Sequence, residues 1–193
     1  MKKLTREDLW SLEQYAEKRA DFRTQMMPHK KNRRIALGEN AYFYFEDELT
    51  VRYQIQEMLR IEKVFEADGI NDELEAYNPL IPDGSNWKAT FMLEFVDVEE
   101  RKQQLAKMIG IERAVWVKAE GFDPVFAIAD EDLERETEEK TSSVHFLRFE
   151  LGTDMIQSLK QGATLSIGID HGAYMQQSEI EDPYRASLMN DLD

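Results

Sequence analysis

The chain has 193 residues, of which 39 are acidic and 24 basic, for a net charge of −15. That balance argues against general nucleic-acid binding and against anionic membrane surfaces, and no window approaches the roughly 18 apolar residues of a spanning helix. With no cysteine in the sequence, disulfides, thiolate zinc sites, iron–sulfur clusters and cysteine nucleophiles are excluded, and the lysines at positions 2 and 3 are followed by no apolar run of the signal-peptide kind, so a cytoplasmic protein is expected.

Thr5 with Asp8 resembles a helix-start box. Leu9, Leu12, Ala16 and Ala20 form a narrow apolar stripe, which predicts a helix over 6–23, ended by Met26, Met27 and Pro28. The run HKKNRR at 29–34 follows. It reads either as a solvated loop or as a small anion or polyanion site in an otherwise acidic chain, and with the helix it makes an N-terminal appendage over 1–34.

Residues 35–37 and 41–45 read as two strands about a turn at Gly38 to Asn40, or as one bulged strand. Residues 45–65 are the longest helix-period segment. At about 100° per residue, Val51, Ile55, Met58, Leu59, Ile61 and Phe65 fall on one arc, with Arg52, Gln56, Arg60 and Lys63 opposite. Glu62 lies near the middle of the apolar arc and Gln54 at its edge. A buried carboxylate without partners costs several kcal/mol. Glu62 is therefore either bonded at the rim of the core or a functional acid or metal ligand. A di-iron helix would need Glu-x-x-His, and no His is present here.

A helix over 71–77 stops at Asn78 and Pro79, before a turn at Pro82, Asp83 and Gly84. Residues 89–96 alternate as a central strand, with Ala89, Phe91, Leu93 and Phe95 on one face. Asp97 caps a helix over 99–109 that Gly110 ends. Residues 114–119 and 125–128 flank a hairpin turn at Gly121 to Pro124. The acidic, helix-prone run at 130–140 reads as a solvated face. Strands over 143–151 and 164–170 are joined by a short helix near 154–161. The Met- and acid-rich tail over 172–193 is expected to form a last helix or to fray. The expected fold is one α+β domain over 1–193, with a mixed, mostly antiparallel sheet of about six strands and packed helices.

Nucleophile-elbow, phosphate-loop, dinucleotide and zincin motifs are all missing. Alternation puts His145 on the face of Leu147, Phe149 and Leu151, and His171 on the face of Leu165, Ile167 and Ile169. On antiparallel neighbours the two imidazoles would be cross-strand partners ~5 Å apart. Across a parallel crossover they would be on the order of 20 Å apart. Together with Glu62 they would suit a divalent metal of the two-His, one-carboxylate type. Arg60 or Arg148, with Gln54 and Glu62, would hold an anionic ligand.

The blocks KKNRRIALG (30–38), FEDELTVRYQIQEMLRIE (45–62), ELEAYNPLIP (73–82), ATFMLEF (89–95), SSVHFLRFEL (142–151) and IDHGAY (169–174) resemble a bacterial family of this length, domain of unknown function 3501. No activity is established for that family, so no catalytic residue carries over. Its members are often encoded near rubrerythrin-like and iron–sulfur oxidoreductase proteins, and the resemblance therefore implies a setting of peroxide or redox stress. The expected function is an accessory or binding protein working with such partners. The alternative is a metal- or small-anion-binding enzyme using Glu62, His145 and His171.

Overall fold

Local sequence rules account for most of the elements. In the computed structural model, which describes residues 2–131 and 140–193, the first half of the chain runs α1 (Leu12–Lys31), β1 (Arg34–Leu37), β2 (Ala41–Phe45), α2 (Glu48–Glu62), α3 (Ala67–Tyr77), β3 (Asn86–Leu93) and α4 (Val98–Lys107). The second half runs β4 (Val115–Ala119), β5 (Val125–Phe126), β6 (Ile128–Ala129), β7 (Val144–Glu150), α5 (Thr153–Lys160), β8 (Leu165–His171), β9 (Tyr174–Glu179) and α6 (Tyr184–Met189). Side chains of Ser11, Asp47 and Asp97 accept from backbone N–H groups in the first turns of α1, α2 and α4, satisfying donors that a helix start leaves open.

The fold is α+β, as expected. The strands of the described residues form two antiparallel sheets rather than one, ordered β1-β2-β3-β7-β6 and β5-β4-β8-β9. Alternation marks which face of a strand is buried, but it does not choose the partner strand. The inner faces of both sheets share a single core. In it Phe43 stacks on Phe91 at 4.8 Å, and Val117 and Ile167 sit opposite each other with almost no exposure. Burying a side chain of this size contributes about 1.5–3 kcal/mol. Tyr174 ties the sheets at one edge: its hydroxyl donates to the Leu37 carbonyl at 2.7 Å, across the β1–β2 turn where Gly38 adopts φ +72.

Helices α1, α2 and α3 stand apart from that core. Val51, Ile55 and Leu59 of α2 pack with Leu74, Leu4 and Ile81. Tyr15, Phe22 and Met26 of α1 pack with Tyr53 of α2. The three helices thus bury apolar surface largely among themselves, and a groove is left between them and the outer face of the five-stranded sheet.

Several local expectations change. Helix α1 continues through Pro28 to Lys31, because a proline near a helix end removes one hydrogen bond and the chain recovers with Asn32 N–H on the Pro28 carbonyl at 3.2 Å. It buries Tyr15, Phe22 and Met26 rather than the stripe through Ala16 and Ala20. The basic run is not a loop throughout: His29 to Lys31 form the last helical turn, where cations face the negative end of the helix dipole, and Arg33 is buried while Lys31 and Arg34 are exposed. In α2, Gln56 is fully buried and Glu62 exposed. Residues 172–193 form β9 and α6, with Leu188 and Leu192 in the main core. The helix-prone run at 130–140 lies mostly outside the described residues.

Candidate functional site

The outward face of β2, β3 and β7 carries Tyr42 and Tyr44, then Lys88, Thr90 and Met92, then Val144, Phe146 and Arg148, all half-buried. A face made by alternation in this way would ordinarily lie open to water. Here it is roofed in part by Thr50, Val51 and Gln54 of α2 and by Tyr77, Pro79 and Leu80 at the end of α3. Two cavities lie beneath that roof, of about 440 Å³ and 390 Å³. They share Tyr77, Leu80 and Phe146 as walls and so form one groove, of a size that small-molecule sites commonly have.

Two charged residues on adjacent strands give this groove its chemistry. Glu46 continues β2 beside β3, its N–H donating to the Lys88 carbonyl at 2.8 Å. Opposite charges at such neighbouring positions ordinarily pair, and these do not. The Glu46 carboxylate turns into the smaller cavity, where it accepts from Thr50 Oγ1 at 2.6 Å and Thr90 Oγ1 at 3.0 Å. The Lys88 ammonium turns into the larger cavity and donates to the Pro79 carbonyl. Among the described residues, Lys88 has no carboxylate within 4.0 Å and Glu46 no cation. Burial, aided by the Arg148 charge, pushes the Lys88 amine below the usual lysine range.

Arg148 borders the same cavity. It is committed to Glu131, at 2.8 and 2.7 Å from its two carboxylate oxygens, and to Glu150. Those hydrogen bonds hold Glu131 below the ordinary carboxylate range. Gln54 lines the α2 end of the groove, so two of the residues expected to bind a ligand do border it. Arg60 is instead exposed and 3.4 Å from Glu57, and Glu62 is exposed at the end of α2.

The two histidines are not cross-strand partners: β7 and β8 belong to different sheets, His145 lying opposite Phe91 and His171 opposite Tyr174. His145 is fully buried and stacks on Phe91. Its Nδ1 lies 2.5 Å from Asp130 Oδ2, and its Nε2 lies 3.0 Å from both Thr141 Oγ1 and the Ser142 carbonyl. His171 Nδ1 accepts from Ala173 N–H at 3.2 Å, which leaves Nε2–H to donate to the Ile109 carbonyl at 3.1 Å. All four ring nitrogens are engaged within the chain. Among the described residues no group of three or more His, Cys, Asp or Glu could hold a metal ion, and no helix is long and apolar enough to cross a membrane.

A second polar cluster went unseen in the sequence. The Arg33 guanidinium donates to the carbonyls of Phe45, Glu46 and Ser187 and to Asp191 Oδ2, and lies 3.4 Å from Asp47. His29 Nε2 lies 2.6 Å from the same Asp47 oxygen. This set is enclosed and internally satisfied, as a structural joint would be. Glu46 and Lys88 were missed as well. Lys88 precedes the alternation that begins at Ala89, but extending that strand back to Trp87 puts Lys88 on the outward face with Thr90.

Residues 3–192 match the family described as Protein of unknown function (DUF3501). The chain is also similar to a solved structure, the crystal structure of a novel protein of unknown function from Burkholderia pseudomallei K96243. The identity is 51%, all of both chains is covered and the TM-score is 0.94. No curated protein matches.

Proposed function

The chain belongs to the DUF3501 family, and we propose that it is a binding protein whose ligand is a small molecule with an apolar body and an anionic group. The observation that carries this reading is Lys88, an ammonium in a largely apolar groove that has a carbonyl for a partner and, among the described residues, no carboxylate within 4.0 Å. A half-buried charge in that state is stabilised by any anion that reaches it. Phe146, Leu80 and Tyr77 would take the apolar body, with Gln54 and Arg148 at the ends of the groove. This proposal keeps the small-anion part of the sequence expectation and gives Glu62, His145 and His171 no part. A cytoplasmic location, and redox partners of the rubrerythrin-like and iron–sulfur oxidoreductase kind, remain what the family resemblance implies. A carrier that passes a small molecule to such partners fits that setting, though the groove carries the reading.

Thermal unfolding with a panel of aryl and alkyl carboxylates, each beside its neutral amide, tests it. Saturating acid should raise Tm by a few degrees, since a ligand at about 100 times its Kd adds ~2.7 kcal/mol. The amides should not, and Lys88→Met should lose the response. Equal shifts from acids and amides, or none from any acid, would rule the reading out.

A further inference from the structure

We infer that the ligand is a zwitterion of the apolar amino-acid type, with its carboxylate received by Lys88 and its ammonium by Glu46. This rests on the binding role of the groove and names the class of molecule it takes.

The argument begins with the geometry of adjacent strands. Cross-strand neighbours have Cβ atoms about 5 Å apart, so Glu46 and Lys88 start from almost the same place on the sheet. Their charged ends then diverge into two cavities that share walls. Each end is held by neutral groups: two threonine hydroxyls for the carboxylate, a backbone carbonyl for the ammonium. Hydroxyl and carbonyl dipoles fix the direction of a charge without cancelling it. The groove therefore presents a positive and a negative site in adjoining cavities, with Tyr77, Leu80 and Phe146 lining both.

A ligand carrying only an anion would satisfy Lys88 and leave the Glu46 carboxylate uncovered and repelling it. A ligand carrying only a cation would do the converse. Discrimination of this kind comes as much from repulsion of the wrong molecule as from attraction of the right one. Lys30 borders the Glu46 cavity as well, but its Nζ lies over the Tyr53 ring at 5.7 Å and not within ion-pair reach of Glu46. It leaves the carboxylate available to a second cation.

Calorimetric titration of the full chain with matched sets tests the inference. Phenylalanine, 3-phenylpropionate and phenethylamine make one set; leucine, 4-methylpentanoate and isopentylamine make the other. The amino acid of at least one set should bind about tenfold or more tighter than its deaminated and decarboxylated counterparts, the usual scale of one well-placed charge interaction. In Glu46→Gln that preference should vanish while 3-phenylpropionate binding holds or improves. The wild-type comparison stands even if the variant folds poorly. If the acids bind as tightly as the amino acids, the zwitterion is wrong and the anion-binding groove stands. If nothing in either set binds, the groove reading fails with it.

Discussion

Arg33 and Asp191, 158 positions apart in the chain, face each other at 2.5 Å with both side chains buried. The pair joins the start of the first sheet to the segment after α6. A buried pair of this kind adds little net stability over an apolar substitute, but losing one member is costly, because the other is left charged and unsolvated. Here Arg33 also lies 3.4 Å from Asp47, so its loss strands Asp191 and leaves Asp47 to His29 and the Thr50 N–H.

Arg33→Met should therefore destabilise the fold by about 3–5 kcal/mol. Arg33→Met combined with Asp191→Leu should recover a substantial part of that loss. Urea unfolding of the wild type and the two variants measures both effects. A single variant that unfolds at the wild-type midpoint would contradict the account.

The same cluster sets a pH dependence. Burial pushes the Asp191 carboxyl up from 3.8 to about 6, against the opposing pull of Arg33. A carboxyl raised by folding binds its proton more tightly in the folded state than in the unfolded one. Protonation thus favours the fold, and stability should increase as pH falls from 7 towards 4, by up to roughly 3 kcal/mol. Below that window the direction reverses. Glu57, held down at about 2 by its hydrogen bond from Arg19, contributes stability above the ordinary carboxylate range and loses it as pH drops towards 2. Asp191→Asn should flatten the gain between pH 7 and 5. Wild-type protein equally stable at those two pH values would refute this.

Gly168 of β8 has its backbone against the indole of Trp116 on β4. A Cβ at this position would lie 2.1 Å from Trp116 Cζ2, far inside contact distance. Gly168→Ala should cost about 1–3 kcal/mol through overpacking and alter the near-ultraviolet circular dichroism of the tryptophan. Adding Trp116→Leu should relieve most of that cost, whereas an additive double variant would show that the two residues do not meet.

Gln56 brackets the backbone of Trp10: its Oε1 accepts from Trp10 N–H at 2.7 Å and its Nε2 donates to the Trp10 carbonyl at 3.3 Å. Gln56→Leu keeps the volume but removes both partners, for an expected cost of about 1–3 kcal/mol. Amide exchange at Trp10 should speed up more than exchange in β3. Unchanged protection at Trp10 would mean that the bracket does not hold the N-terminal segment.

How far the sequence could be read depended on the range of the signal. Strands showed up one at a time, because alternation is local: Val125 and Phe126 do form the hairpin partner of 114–119, with Trp116 opposite Phe126, but Ile128 leaves that strand and pairs with Arg148 in the other sheet. That β4 pairs with β8, and β7 with β3, was hidden because partner choice is made across long separations. Helix α2 shows the same limit. Its apolar arc runs on paper to Phe65, but the chain leaves the helix at Lys63 with φ 57, and Glu62 ends up in water. Gln56 looked solvated until the segment before α1 brought the Trp10 backbone to its side. In the groove, Gln54 and Arg148 were named from helix phase and charge. Glu46 and Lys88 were not, since what distinguishes them is the absence, among the described residues, of an oppositely charged partner within 4.0 Å, and only the assembled sheet reveals that.

The segment after β9 has a consequence for biosynthesis. Leu188 and Leu192 complete the main core, the Leu188 carbonyl takes the Trp87 indole N–H at 3.0 Å, and Asp191 takes the Arg33 guanidinium. While a ribosome is still translating residues 184–192, Trp87 and Arg33 lack these covers, although β1, β2 and β3 have long since emerged. The nascent chain carries an uncovered apolar sheet while residues after Leu93 are made. Such a sheet is a surface that chaperones bind and that aggregation exploits.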